Sequence, residues 1–254
     1  MTTSAPALAP TTSSAAWDEP EGVAARGTVV VLTGRGETAR SYERLGRRIS
    51  SDAYRVRVVQ VELDDPDATR DEVRGLLADA SLPRPRVVLG SDSGATRAQQ
   101  LAVELEGPEA VDGLVLAGLA LPGPGADAAP QAWEDELEAR TACPAHRRVL
   151  SGDDDFARGA LGAPLPAAWG GLAPVAPDVP VLVLHGTEDP VTPPQDAFAP
   201  FRGRERARLH AVVGGRHDVL NDVSHRSVAA TVVLFLESLR LAPDLPVVVE
   251  LVQG

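Results

Sequence analysis

The stretch VVLGSDSGATRA, Val87 to Ala98, decides how this chain is read. An apolar run ends at glycine and a helix-forming segment begins within three residues, the pattern of a buried strand that turns sharply into a helix. The apex of such a turn needs small residues two positions before and after it, because the turn brings their backbones together. Three residues compete for the apex. With Asp92 there, the flanks are Gly90 and Gly94; with Ser93 they are Ser91 and Ala95; with Ser91 the upstream flank is the bulky Leu89. Asp92 fits best, and Ser93 second.

On either side of this turn the pattern alternates. TVVVL (28–32), YRVRVVQVEL (54–63), RVVLG (86–90) and VDGLVLAGLAL (111–121) read as strands. Between and after them, TARSYERLGRRIS (38–50), ATRDEVRGLLADAS (68–81) and ATRAQQLAVELEG (95–107) have helical spacing. Regularity breaks after Leu121: PGPGADAAP is turn chemistry, and QAWEDELEARTAC (131–143) and DDDFARGAL (153–161) read as short amphipathic helices. Alternation returns with VPVLVLHG (179–186), a helix around Pro194 to Phe201, ARLHAVV (207–213) and DVSHRSVAATVVLFLESLR (222–240). The expected fold is α/β, a mostly parallel central sheet with helices on both faces. It spans residues 17–254, with a small helical cap at about 122–177 over the carboxyl ends of the strands. Residues 1–16, rich in Ala, Pro, Ser and Thr, read as a disordered tail.

Composition narrows the chemistry. The 254 residues suffice for one large domain, and 44% are hydrophobic. All 24 basic residues are arginine, so Schiff-base chemistry and a lysine-bearing phosphate loop are excluded. Against 36 acidic residues the net charge is −12, which would repel nucleic acid and anionic membranes, so neither is an expected partner. Cys143 is the single thiol, which rules out an intrachain disulfide; no activating charge stands beside it in sequence, so it reads as an inert apolar residue. The opening MTTSAPALAPTTSSAAW lacks the basic segment and apolar run of a signal peptide, and no apolar run reaches membrane-spanning length. The expected location is the cytoplasm. LPVVVELV (245–252) reads either as an edge strand or as an association surface, and the oligomeric state stays open.

Two further loops stand behind predicted strands. LHGTEDPVTP (184–193) offers Glu188 and Asp189, and VVGGRHDVLND (212–222) presents His217 between glycines and an acidic run. Nucleophile, acid and histidine in this order match the α/β-hydrolase order. His146, His185, His210 and His225 show no paired ligand spacing, so no metal site and no cofactor are expected. Trp133 and Trp169 fall in the cap, where they either line a pocket or pack it down.

From Trp17 to Leu239 the chain resembles the α/β-hydrolases, specifically the monoacylglycerol lipase and lysophospholipase branch. That branch carries HGxGEHxxRY after its first central strand; here TGRGETARSY (33–42) keeps Gly34, Gly36, Glu37 and Tyr42, with Thr33 in place of the histidine. GTEDPVTP and RHDVLND are similar to its acid and histidine loops. The resemblance implies Asp189 as acid and His217 as base, with the backbone amides of Arg35 and Ser93 forming an oxyanion hole. The Arg35 side chain is either solvated or turned inward, where it would bind a substrate carboxylate. The departure is Asp92, which stands where the branch has serine.

That departure changes the chemistry. A carboxylate attacking an acyl carbon would form an anhydride, whereas at a saturated carbon it forms an ester that water then cleaves. Haloalkane dehalogenases and epoxide hydrolases of this fold use that scheme. Their supporting groups are missing, because Ser93 replaces the tryptophan of the former and no tyrosine lies in the cap for the latter. The expectation is a cofactor-free hydrolase with an Asp92–His217–Asp189 triad, acting on a small, largely apolar ester, lactone or epoxide-like molecule. Its rivals are a lyase or cyclase using Asp92 and His217 as acid and base, and a catalytically silent ligand-binding protein.

Overall fold

Short runs rich in Val and Leu build the centre of the molecule. β2 (Gly27–Leu32), β3 (Tyr54–Val59), β4 (Arg86–Ser91), β5 (Gly113–Ala117), β6 (Val181–Gly186) and β7 (Ala207–Val212) pair in parallel. With the short β1 (Ala15–Trp17) at one edge they form a seven-stranded sheet in the order β1-β3-β2-β4-β5-β6-β7. The computed structural model describes residues 15–121, 132–166, 169, 178–250 and 252.

The period of two inside each apolar run divides the core. Val29 and Val31 of β2 pack on one face with Tyr42, Leu45, Ile49 and the helix His225–Leu241; Val30 and Leu32 pack on the other with Val73, Leu77, Ala98 and Leu101. The helices are α1 (Glu43–Ser51), α2 (Pro66–Ala78), α3 (Ser93–Glu104), α4 (Trp133–Arg140), α5 (Pro144–Ser151), α6 (Pro194–Phe198) and α7 (His225–Leu241). Asp65 caps α2 by accepting the amide of Ala68 at 3.0 Å, and Pro66 opens it. No helix among the described residues is long and apolar enough to cross a membrane.

The structure departs from the sequence reading in three places. β1 begins at Ala15, two residues inside the segment read as a tail, and pairs antiparallel with β3 (Ala15 opposite Val58, Trp17 opposite Val56). Asp18 and Glu19 then fasten to Arg57 and Arg55, at 2.7 Å each. DDDFARGAL forms no α-helix: Asp153 turns its carboxylate onto the Asp155 amide, and Gly159 takes φ +85° before one 3₁₀ turn at Ala160–Gly162. The second helix of the region is α5 instead, opened by Pro144. The C-terminal apolar segment forms no strand as far as Glu250.

The cap expected at 122–177 is described only in part, where α4 and α5 lie; residues 122–131, 167, 168 and 170–177 fall outside the described residues, as do 1–14. Trp169 is buried and belongs to the core cluster that takes in strand side chains such as Val30 and Leu116, with Leu165 packed against it. Trp133 stacks near Phe156, centroids 5.4 Å apart, under the guanidinium of Arg158.

Candidate active site

The turn between β4 and α3 places Asp92 at its apex with φ 52° and ψ −120°. The close approach explains the flanking glycines: a Cβ on Gly90 would lie 2.2 Å from the carbonyl oxygen of Gly94, and one on Gly94 would lie 2.4 Å from that of Leu32. Only Asp92 among the three candidates meets His217. The hydroxyls of Ser91 and Ser93 make no hydrogen bond to the histidine, and Ser93 Oγ, fully buried, has no hydrogen-bond partner among the described residues.

Three strand ends converge here. His217 Nε2 lies 3.0 Å from Asp92 Oδ1, and its Nδ1 lies 2.8 Å from Asp189 Oδ2. Asp189 follows β6; its Oδ1 accepts the amides of Val191 and Thr192 at 2.8 and 3.1 Å, which fixes the carboxylate. Glu188, the rival acid, is exposed. A contact the sequence reading missed is His185, whose Nε2 sits 2.9 Å from Asp189 Oδ2 and 2.8 Å from the Thr192 carbonyl. Both partners are acceptors, so this nitrogen carries the proton. Its signal in the sequence was a histidine on the last turn of a buried strand, four residues before the acid.

Arg35 turns inward. Its amide donates to Asp92 Oδ2 at 2.7 Å, its Nε to the same oxygen at 2.9 Å, and its Nη2 to Oδ1 at 2.7 Å. Nη1 donates to the carbonyl of Ala163 at 2.5 Å, and the residue is 6% exposed. The amide expected in an oxyanion hole is therefore on the protein's own carboxylate. Ser93 opens α3, so its amide has no acceptor within that helix.

The charges hold one another. Burial alone would raise the Asp92 carboxyl, but the Arg35 guanidinium and His217 keep it well below the usual carboxylate range. Burial alone would lower His217, yet Asp189 and Asp92 on its two nitrogens raise it to about 10. Asp189 is held low against burial by His217 and His185. At neutral pH the site thus rests as an imidazolium between two carboxylates, with a guanidinium on the outer one.

α4 locks onto this arrangement from above. Arg140, fully buried, donates from Nη2 to the carbonyl of Arg35 at 2.7 Å and to Glu136 Oε1 at 2.9 Å, and its Nη1 lies 3.4 Å from Asp218 Oδ1. The carbonyls of Ala139 and Arg140 accept the amides of His217 and Asp218 at 3.3 and 2.8 Å. One helix end therefore contacts both the Arg35 loop and the histidine loop.

Two sequence-based expectations change. Cys143 precedes α5 with Arg44 Nη1 at 3.7 Å from Sγ; against burial, the amides of His146 and Ala145 and that guanidinium lower its thiol pKa. His146, without paired spacing in the sequence, gathers with Glu37 and Asp218, ligand-type atoms within 4.8 Å of one another. Glu37 there accepts the Gly34 amide at 2.9 Å and the Tyr42 hydroxyl, and Arg140 stands on Asp218, so protein donors and a guanidinium already serve these carboxylates.

No family model matches the chain, and no curated protein matches it in sequence. Solved structures share its fold. A soluble variant of monoglyceride lipase from Saccharomyces cerevisiae aligns with TM-score 0.66 and 16% identity, over 88% of this chain and 90% of that one. A monoacylglycerol lipase from Paleococcus ferrophilus aligns at 0.63 and 18%, over 89% and 98%. An esterase from Rhodococcus aligns at 0.62 and 21%, over 84% and 91%. At these identities the likeness establishes the fold alone.

Proposed function

We propose that this chain, an α/β-hydrolase in fold, is a cofactor-free hydrolase that opens a C–O bond at a saturated carbon of a small molecule, an epoxide being the simplest case. One observation carries the proposal: Asp92 Oδ2 rests on the Arg35 amide while Oδ1 faces His217 Nε2. One oxygen is thereby anchored and the other is presented for attack.

In the first step Asp92 Oδ1 forms an ester bond to the carbon as the ring C–O bond breaks. The leaving alkoxide takes the proton from His217 Nε2. This supplies the acid that the sequence lacked in cap tyrosines, because His217 is held protonated to about pH 10. Esterification removes the Asp92 charge, and with it one of the two carboxylates that raised the histidine. The neutral imidazole then takes a proton from water, which attacks the ester carbonyl. Charge on Oδ2 is met by the amides of Arg35 and Ser93, each such donor contributing about 3 kcal/mol. Collapse expels the diol oxygen, which takes the proton from His217, and the new carboxyl of Asp92 returns a proton to His217. Epoxide and water become diol, and the site is restored.

The Arg35 guanidinium favours a second reading, a silent ligand-binding protein, since it sits across the oxygen that would attack. A single turnover with excess protein in ¹⁸O-water separates the two. The proposal expects ¹⁸O in the peptide containing Asp92 and an unlabelled first product. Label in the product alone means direct attack by water, and no turnover across an epoxide, lactone and ester panel favours the silent reading.

A further inference from the structure

A carboxylate offers about four lone-pair sites. Those of Asp92 are taken by four donors: the Arg35 amide and Nε on Oδ2, and Arg35 Nη2 and His217 Nε2 on Oδ1. A new bond at Oδ1 requires that one of them withdraw. The amide is fixed in the backbone and anchors the other oxygen, and His217 leaves Oδ1 as it hands its proton to the departing oxygen. The guanidinium still covers and neutralises the oxygen that attacks, so it has to swing away as well.

Glu136, the other carboxylate whose charge bears on Arg35, offers it no free oxygen. Glu136 already accepts Arg140 Nε and Nη2 and the amides of Leu161 and Gly159. Asp189 is filled by two amides and two histidines. A buried guanidinium stripped of its partner is strongly unfavourable, so displacement needs a replacement anion. We infer that the substrate brings it: Arg35 binds a carboxylate on the substrate, taking over from Asp92 the planar, two-pronged contact it already makes. The reacting carbon and the anion then arrive together, and a neutral molecule of the same size cannot free Oδ1. This rests on the hydrolytic reading of Asp92.

The test has a binding arm and a turnover arm, both on the intact protein. In the first, butanoate and butanamide are compared by thermal unfolding. Butanoate is expected to raise Tm and butanamide to leave it unchanged; Arg35→Gln should abolish the butanoate response, and Arg35→Lys should keep part of it. Equal responses to the two molecules, no response to butanoate up to about 50 mM, or an undiminished response in both variants would overturn the inference. In the second arm, glycidate and propylene oxide differ by the carboxylate. Wild type should favour glycidate by about 100-fold or more in kcat/KM, and Arg35→Gln should bring the ratio near one. Equal turnover of both epoxides in wild type overturns the inference and leaves the hydrolytic reading intact. Turnover of neither removes the hydrolytic reading, and the binding arm alone then decides the role of Arg35.

Discussion

The carbonyl oxygen of Arg35 accepts a 2.7 Å hydrogen bond from Nη2 of Arg140, so α4 holds the residue whose amide and guanidinium contact the Asp92 carboxylate. Arg140 is also the cation facing Glu136 and Asp218. Arg140→Met leaves those two buried carboxylates without it and should destabilise the protein by about 3–5 kcal/mol in urea unfolding. It should also lower kcat about tenfold or more with a smaller change in KM, because the Arg35 amide loses its anchor. Adding Glu136→Leu to Arg140→Met should restore part of the stability but not kcat. If stability and kcat recover together, Arg140 is structural only.

Much of this site was legible because its determinants are local. Asp92 stands at the turn since glycine is forced at position 90 by the backbone of Gly94 and Ala95, within five residues, and at position 94 by the carbonyls of Leu32 and Thr33 at the end of β2. Asp189 follows the buried β6 and His217 the half-exposed edge strand β7, and parallel pairing brings the ends of β4, β6 and β7 to one edge. What was not legible depends on long-range pairing. Nothing around Arg35 shows that its guanidinium meets an aspartate 57 positions away, since an arginine in a glycine loop is ordinarily solvated. Arg140 reaches the carbonyl of Arg35 across 105 positions. β1 is three residues long, too short for alternation to be seen, and exists because β3 offers it an edge.

The resting imidazolium sets the pH dependence of stability. Folding raises His217 from an unfolded value near 6.5 to about 10. Its contribution is therefore complete below pH ~6.5 and is lost as pH rises through about 10, because the folded state then binds more protons than the unfolded state. Asp92 and Asp189 are depressed, so their contributions hold above pH ~3.9 and fade as pH falls. Tm should decline from neutral pH toward pH 10, and His217→Gln should flatten that limb. A wild-type Tm that is level across this range would contradict the charged pair of contacts on His217.

Asp189 acts on His217 by charge as well as by position. Asp189→Asn keeps a hydrogen-bond acceptor near Nδ1 but removes the carboxylate that contributes most to raising the imidazole. The histidine pKa, followed by its ring-proton NMR titration, should fall toward the ordinary range. Turnover should drop by about three orders of magnitude, as a misoriented imidazole neither donates nor accepts along the Asp92 direction. An unshifted titration would show that Asp92 alone holds the charge.

The last prediction concerns the choice of apex. Ser93 is fully buried, its hydroxyl has no partner among the described residues, and neither it nor Ser91 is hydrogen-bonded to His217. No serine in the turn is activated, so a fluorophosphonate should leave the wild-type protein unlabelled, and Ser93→Ala should keep most activity because its amide survives. Asp92→Ser reverses the situation. It puts a hydroxyl against His217 Nε2, removes one of the two carboxylates that hold the imidazole protonated, and vacates the Arg35 amide for a developing oxyanion. That variant should take up the reagent at position 92, more readily as pH rises through the lowered pKa of His217. It should cleave an activated ester where Asp92→Asn does not. Stoichiometric labelling of Ser93 in the unaltered protein would move the apex by one residue and remove the carboxylate mechanism with it.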